Sequence, residues 1–283
     1  MLNRQKALLQ LVRLAGGEID RLVLTKWAFI IRQETESRGG ESFYDFVPYH
    51  YGPFSFGLYQ EAEKLVSLGY LEERGTSGWA LGDVAAPQVD GRFRDDLASV
   101  ASRFGKASKD ELLDYVYEKY PYFTIHSKRK RLAKRHVAPL AVYTAGYETK
   151  SVDAFLNCLT EAGITHLIDV RMNPIARRYG FHRSTLSRLC NLLGMQYSHV
   201  PELGIASELR QELESVDDYK ALFHRYEGTT LKKEKTAIRT VADWVLKSPS
   251  VLVCMEAEPT CCHRSHLAEP VSELTELPIV HLR

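Results

Sequence analysis

The residues best equipped for chemistry stand together at 250–268, SVLVCMEAEPTCCHRSHLA. An apolar run, Val251 to Cys254, reads as a short buried strand, and Glu256, Glu258, Cys261, Cys262, His263 and Arg264 crowd in behind it. Pro259 and Thr260 mark a turn, after which 262–269 has helical composition. In an open parallel sheet, ligands sit outside the carboxyl ends of the strands, so acids, thiols and cations at a strand exit carry more weight than the same residues elsewhere. For any single residue the plainer account serves equally well: a capped helix, a salt-bridged Arg264 and two inert buried cysteines.

These side chains need strands to hold them. From Leu140 onward, short β-branched runs at 140–146, 166–170, 196–200, 251–255 and 279–282 alternate with helical runs at 152–162 and 184–193. An acidic helical stretch, 208–247, precedes the fourth strand, and a helix from Cys262 follows it. Ser151 and Ser184 read as N-caps, Gly163 and Gly194 as helix stops. The alternation predicts an α/β fold with a mostly parallel, doubly wound sheet. Its strand exits then compare directly. The first leads into Gly146-Tyr147-Glu148, and the second into Asp169, Arg171, Asn173 and Pro174, with Arg177 and Arg178 beyond. The third yields Pro201-Glu202-Leu203-Gly204, and the fourth the 250–268 cluster. Four polar exits in succession make a convergent pocket rim.

In this order and spacing, YTAGYE, LIDVRMNPIARRYGF, YSHVPELG and LVCMEAEPTCCHRSHLAE resemble the signature blocks of the domain-of-unknown-function family 488, over roughly 138–283. Two positions depart from the pattern. Ala176 stands where a small hydroxyl residue is frequent, and Ile205 replaces a second glycine after Pro201-Glu202-Leu203, which affects the fine shape of the pocket. The resemblance brings no reaction with it.

Several chemistries can be weighed on the residues. A cysteine phosphatase needs an arginine six positions after its thiolate, and Cys254, Cys261 and Cys262 all lack one. Cys262-His263-Arg264 keeps a thiolate beside a basic neighbour open, since a helix start lowers a thiol pKa. Gly146 stands alone after the first strand, without a phosphate-cradling or dinucleotide fingerprint. His263, His266 and Asp169 lack diagnostic metal spacing, so neither a metal nor a cofactor is expected. What remains is carboxylate chemistry beside cations, the equipment for cleaving an N-glycosidic bond. Asp169 and Glu256 position a water or stabilise an oxocarbenium ion, with Arg171 as the third catalytic group; Arg178 and Arg264 hold phosphate. Asn173, Arg177, Glu202, Cys262 and His263 complete the binding rim, and Tyr147 or Tyr179 stacks on an extruded base. The opposing account of Asp169 and Arg171 is an internal ion pair, because buried charges usually pair.

The N-terminal half has a different texture. Helical faces at 2–15, 21–38 and 56–68 precede a hairpin at 70–81, the order of a winged helix-turn-helix domain spanning 1–85. Asp20 reads as an N-cap, and 43–56 as an aromatic, turn-rich stretch. The segment FVPYHYGPFSFGLYQEAEKLVSLGYLEE, with its YGPFS turn and LxxLGY ending, resembles the SocA-like, phage-associated antitoxin family called Panacea. Such modules bind DNA or protein, and Lys64 is the one cation in 56–68, which leaves protein binding open. A helical connector, 86–137, ends in HSKRKRLAKRH, where six of eleven residues are Lys or Arg: Lys128, Arg129, Lys130, Arg131, Lys134 and Arg135. With no acid among them, this run is expected to touch a DNA backbone; a solvated helix face is the alternative.

Composition sets the outer bounds. In 283 residues, 45% hydrophobic and 26% charged is ordinary for a globular protein, and the net charge of +1 conceals the uneven placement just described. No apolar run approaches the roughly 20 residues of a membrane helix, and Arg4, Lys6, Gln10 and Arg13 break up what a signal peptide would keep apolar. A cytoplasmic protein with no membrane partner and reduced cysteines is expected. Together the readings predict a DNA-acting hydrolase, a glycosylase for a modified, flipped-out base, with phage defence as its context. The rival is a non-enzymatic nucleic-acid-binding regulator whose α/β domain senses a nucleotide or other anion.

Overall fold

The computed structural model describes residues 1–85, 87, 89, 91–210 and 216–283. The chain forms two compact units, Met1–Lys134 and Arg135–Arg283.

The first unit begins with α1 (Asn3–Leu14), β1 (Glu18–Asp20) and α2 (Arg21–Glu34). Asp20 caps α2 as expected, its carboxylate accepting from the amides of Leu22 at 2.9 Å and Val23 at 3.4 Å. The aromatic stretch holds a small hairpin, β2 (Val47–Tyr49) and β3 (Gly52–Phe54), before α3 (Phe56–Ser67). The wing follows as β4 (Leu71–Arg74) and β5 (Gly78–Leu81), and β1 pairs antiparallel with β5 to make the sheet β1-β5-β4. Three helices with this late hairpin have the winged-helix order.

Beyond it run α4 (Gly91–Phe104) and α5 (Lys109–Lys119). They do not form a separate connector. Leu97, Val100, Phe104, Leu112 and Val116 sit in the same apolar core as Leu8, Trp27 and Ile30, so the boundary between units falls at 134/135 rather than at 85. The basic run is irregular chain rather than a helix face.

The second unit alternates strand and helix: β6 (Val142–Gly146), α6 (Val152–Glu161), β7 (His166–Asp169), α7 (Arg183–Leu192) and β8 (Gln196–His199). Then come α8 (Val216–Tyr226), α9 (Lys235–Lys247), β9 (Ser250–Cys254), α10 (His263–Thr275) and β10 (Ile279–Leu282). Part of the expected helical stretch, 211–215, lies outside the described residues. The five strands make one all-parallel sheet in the order β10-β6-β9-β7-β8. β6, β7 and β9 are buried at every residue, as strands covered on both faces must be. On one face, Ile238 and Val241 of α9 join Leu267 and Val271 of α10 over Val142, Ile168 and Leu252. Right-handed crossovers running the other way put α6 and α7 on the opposite face.

Ser151 caps α6 through Ala154 N at 3.0 Å, and Gly163 and Gly194 take the left-handed conformation that stops a helix. Ser184 is not a cap. The N-cap of α7 is His182, whose ring Nδ1 lies 3.1 Å from the Ser184 hydroxyl.

Candidate functional site

The register brings the strand exits level with one another. Gly146 lies opposite Cys254, and Asp169 lies opposite both Val253 and His199. Asp169 and the chain leading to Glu256 therefore share the carboxyl edge of the sheet. Gly146 is what lets the β9 exit come in so close: a Cβ there would fall 1.8 Å from the carbonyl oxygen of Glu256. Gly204 does the same after β8, where a Cβ would stand 2.2 Å from Met172 N.

Asp169 is fully enclosed, at 0% exposure. Its Oδ1 accepts from Arg171 N at 3.2 Å and Arg171 Nε at 2.8 Å, while Oδ2 accepts from an Arg171 terminal nitrogen at 2.6 Å and Tyr197 OH at 2.7 Å. A carboxylate offers about four acceptor positions, so these four donors saturate it. Asp169, expected to position a water, is in this structure held by these donors and anchors Arg171. The guanidinium, 6% exposed, also donates to Tyr147 OH at 2.7 Å and Phe181 O at 3.0 Å. Burial works against its charge, but Asp169 outweighs burial and raises the Arg171 pKa. Burial, with Asp169 behind it, raises the Tyr197 phenol too.

Tyr147 stacks on Phe181 with ring centroids 4.0 Å apart and is 6% exposed. One face of the ring expected to stack on a base is thus covered by Phe181. Arg178 turns inward at its tip, donating to the carbonyls of Tyr147 at 3.2 Å, Glu148, and Lys150 at 2.9 Å. Arg264, at 0% exposure, donates to the carbonyls of Glu256 and of Ala257, the latter at 3.1 Å. Arg178 and Arg264, expected to hold phosphate, thus each brace backbone carbonyls in this structure.

Cys262 and His263 are each 1% exposed and do not face the rim either. Burial pushes the Cys262 thiol well above its ordinary pKa, against the direction a nucleophilic thiolate needs. Cys262 Sγ lies 2.9 Å and Cys254 Sγ 3.0 Å from Glu256 Oε2, and Cys254 Sγ lies 3.6 Å from His263 Nδ1.

Glu256 itself is half-buried, and Glu202, Asn173 and Arg177 are exposed, with Tyr179 half-buried. The loop from β7 to α7 also carries Ile175 at 79% exposure, a side chain that sequence reading passed over because a lone apolar residue in a loop has no periodicity. A cavity of about 90 Å³ beside the β7 and β8 exits is lined by Met172, Gly204, Ile205, Leu222, Arg225 and Tyr226, among others, and by neither Asp169 nor Glu256. This cavity is distinct from the one expected to gather Asp169, Arg171, Glu202, Glu256 and Arg264; at the strand exits Glu256 is half-buried and Glu202 exposed.

Of the basic run, Lys128, Arg129, Lys130, Arg131 and Lys134 are exposed. Arg129 pairs with Asp110 at 3.3 Å and Asp114 at 3.2 Å. Arg135 donates to the carbonyls of Gly194 at 3.0 Å and Ile164 at 2.7 Å, a structural use within the second unit.

Residues 151–271 match the family described as Domain of unknown function DUF488. The match takes in the blocks at Asp169, Pro201 and Glu256 and begins after YTAGYE. No curated protein and no solved structure matches the chain. Among the described residues no helix is long and apolar enough to cross a membrane.

Proposed function

We propose that the protein is a DNA-acting hydrolase, a glycosylase that removes a modified base, with Glu256 as its acting carboxylate. The observation that carries this reading is the contrast at one edge of the sheet: Asp169 is enclosed and saturated, while Glu256, at the exit of the central strand β9, is half open. A carboxylate fixed beside a sugar stabilises the cationic character that develops as an N-glycosidic bond breaks. Asp169 is then a positioning residue, holding Arg171 and through it Tyr147.

Two exposed features fit a base drawn out of a duplex. Ile175, between exposed Asn173 and Arg177, is an apolar wedge of the kind that fills or opens a base step, and Tyr179 offers a stacking face. In the first unit, exposed Lys128, Lys130, Arg131 and Lys134 grip the phosphate backbone. The winged-helix order, together with the likeness of 46–73 to SocA-like antitoxins, supports phage defence in the cytoplasm as the setting.

The test is incubation with a panel of modified DNAs followed by alkali, which breaks strands at abasic sites. Glu256→Gln should lower the single-turnover rate by about two powers of ten, roughly 3 kcal/mol of barrier, with little change in DNA affinity. Retained DNA binding with no strand break on any substrate would replace this reading with that of a non-enzymatic regulator.

A further inference from the structure

Three buried donors meet behind the exit of β9. Cys254, Cys262 and His263 are 0%, 1% and 1% exposed, and a ligand atom from each lies within 4.8 Å of the other two. Two thiols and an imidazole form a donor set suited to zinc. Bonds of about 2.3 Å to sulfur and 2.0–2.1 Å to nitrogen, at tetrahedral angles, require a sulfur–nitrogen edge of about 3.6 Å. Cys254 Sγ and His263 Nδ1 are 3.6 Å apart.

The surroundings prepare the same group. His263 Nε2 is 3.1 Å from the carbonyl oxygen of Val170. A carbonyl only accepts, so Nε2 donates to it, and the nitrogen left facing Cys254 is Nδ1, the arrangement found behind metal-bound imidazoles. Glu256 Oε2, at 2.9 and 3.0 Å from the two sulfurs, adds negative charge on the fourth side. All donors sit on fixed backbone: Cys254 ends β9, Cys262 caps α10 and His263 opens it.

We propose that Cys254, Cys262 and His263 bind one zinc-class cation, with Glu256 facing its fourth position. The inference goes beyond base removal; the two share Glu256, but metal binding and strand breaks are read separately. The C-x7-C-H spacing hides it, because it matches no ribbon or finger pattern.

The test uses the full chain under reducing conditions, stripped of metal and titrated with cobalt(II). Tetrahedral thiolate ligation should give a sulfur-to-cobalt charge-transfer band and intense visible bands at one equivalent, both abolished by zinc, with release of about two thiol protons. Cys254→Ser and Cys262→Ser should each weaken binding at least about 100-fold. Cys261→Ser should leave it unchanged, since the exposed Cys261 thiol is not among the three donors. Where the serine variants fail to fold, the wild-type spectrum and its proton release decide. A wild-type protein without the charge-transfer band at excess cobalt overturns the proposal, as does a band lost in Cys261→Ser. Absence of base removal on every modified DNA leaves it standing.

Discussion

Asp169 and Arg171 lie two apart at a strand exit, where an extended backbone turns both side chains to the same side. That geometry produces either a catalytic pair or an ion pair, and the difference rests on what else reaches the carboxylate. Here Tyr197 from β8 takes the remaining lone pair at 2.7 Å, and no acceptor position faces solvent. Asp169→Asn keeps the shape but leaves the Arg171 guanidinium buried without its counter-charge, a loss of about 3–5 kcal/mol. Urea denaturation followed in the C-terminal unit should show the drop, while Glu256→Gln should leave the midpoint nearly unchanged. If Asp169→Asn proved as stable as wild type yet inactive, the carboxylate would belong to the chemistry after all. The position of Asp169 at a strand end was legible in the sequence; its saturation was not, because Tyr197 arrives from a strand 28 residues further along the chain.

At the scale of elements, α2 carries a charge into the core. Lys26 is 2% exposed, and its ammonium donates to Pro53 O at 2.8 Å, with burial pushing its pKa down to about 7. The folded state therefore prefers the neutral amine, whereas the unfolded chain keeps its proton until about pH 10.4. Between those values the unfolded state binds more protons, so stability rises with pH through that window; below about 7 the penalty for burying the charge is present in full. The N-terminal unit should resist urea better at pH 9 than at pH 7, and Lys26→Met should flatten the dependence and raise stability at pH 7. A flat wild-type profile would place the ammonium in water. Hydrophobic period revealed the five parallel strands and the helical regions, though it left α8 and α9 as one undivided stretch. It missed β1, β2 and β3, because three residues hold too little alternation to register. Nor did it show where α4 and α5 pack, since an amphipathic stripe announces a buried face without naming what covers it.

At the scale of the whole molecule, a net charge of +1 predicts no pull toward DNA, so the DNA binding proposed above depends on where the cations stand. Within 126–136 the structure sorts them. Arg135 is committed to carbonyls of the second unit and Arg129 to Asp110 and Asp114, while Lys128, Lys130, Arg131 and Lys134 are exposed, Arg131 giving its Nε to Ser127 O at 3.2 Å. Each phosphate neutralised by one of these releases counterions, so the logarithm of affinity falls with the logarithm of salt at about 0.9 units of slope per phosphate. Replacing those four residues with alanine should weaken binding across sequences and flatten the slope by close to that amount for every phosphate no longer neutralised. Arg135→Ala should behave differently, lowering the stability of the second unit through three stranded carbonyls, those of Leu193, Gly194 and Ile164, with a much smaller effect on the slope. Binding isotherms on one duplex from low to near-physiological salt, run beside a urea melt of each variant, separate the two effects. A four-alanine variant with the wild-type slope would assign the segment to solvent and leave the winged-helix unit to account for any grip on DNA.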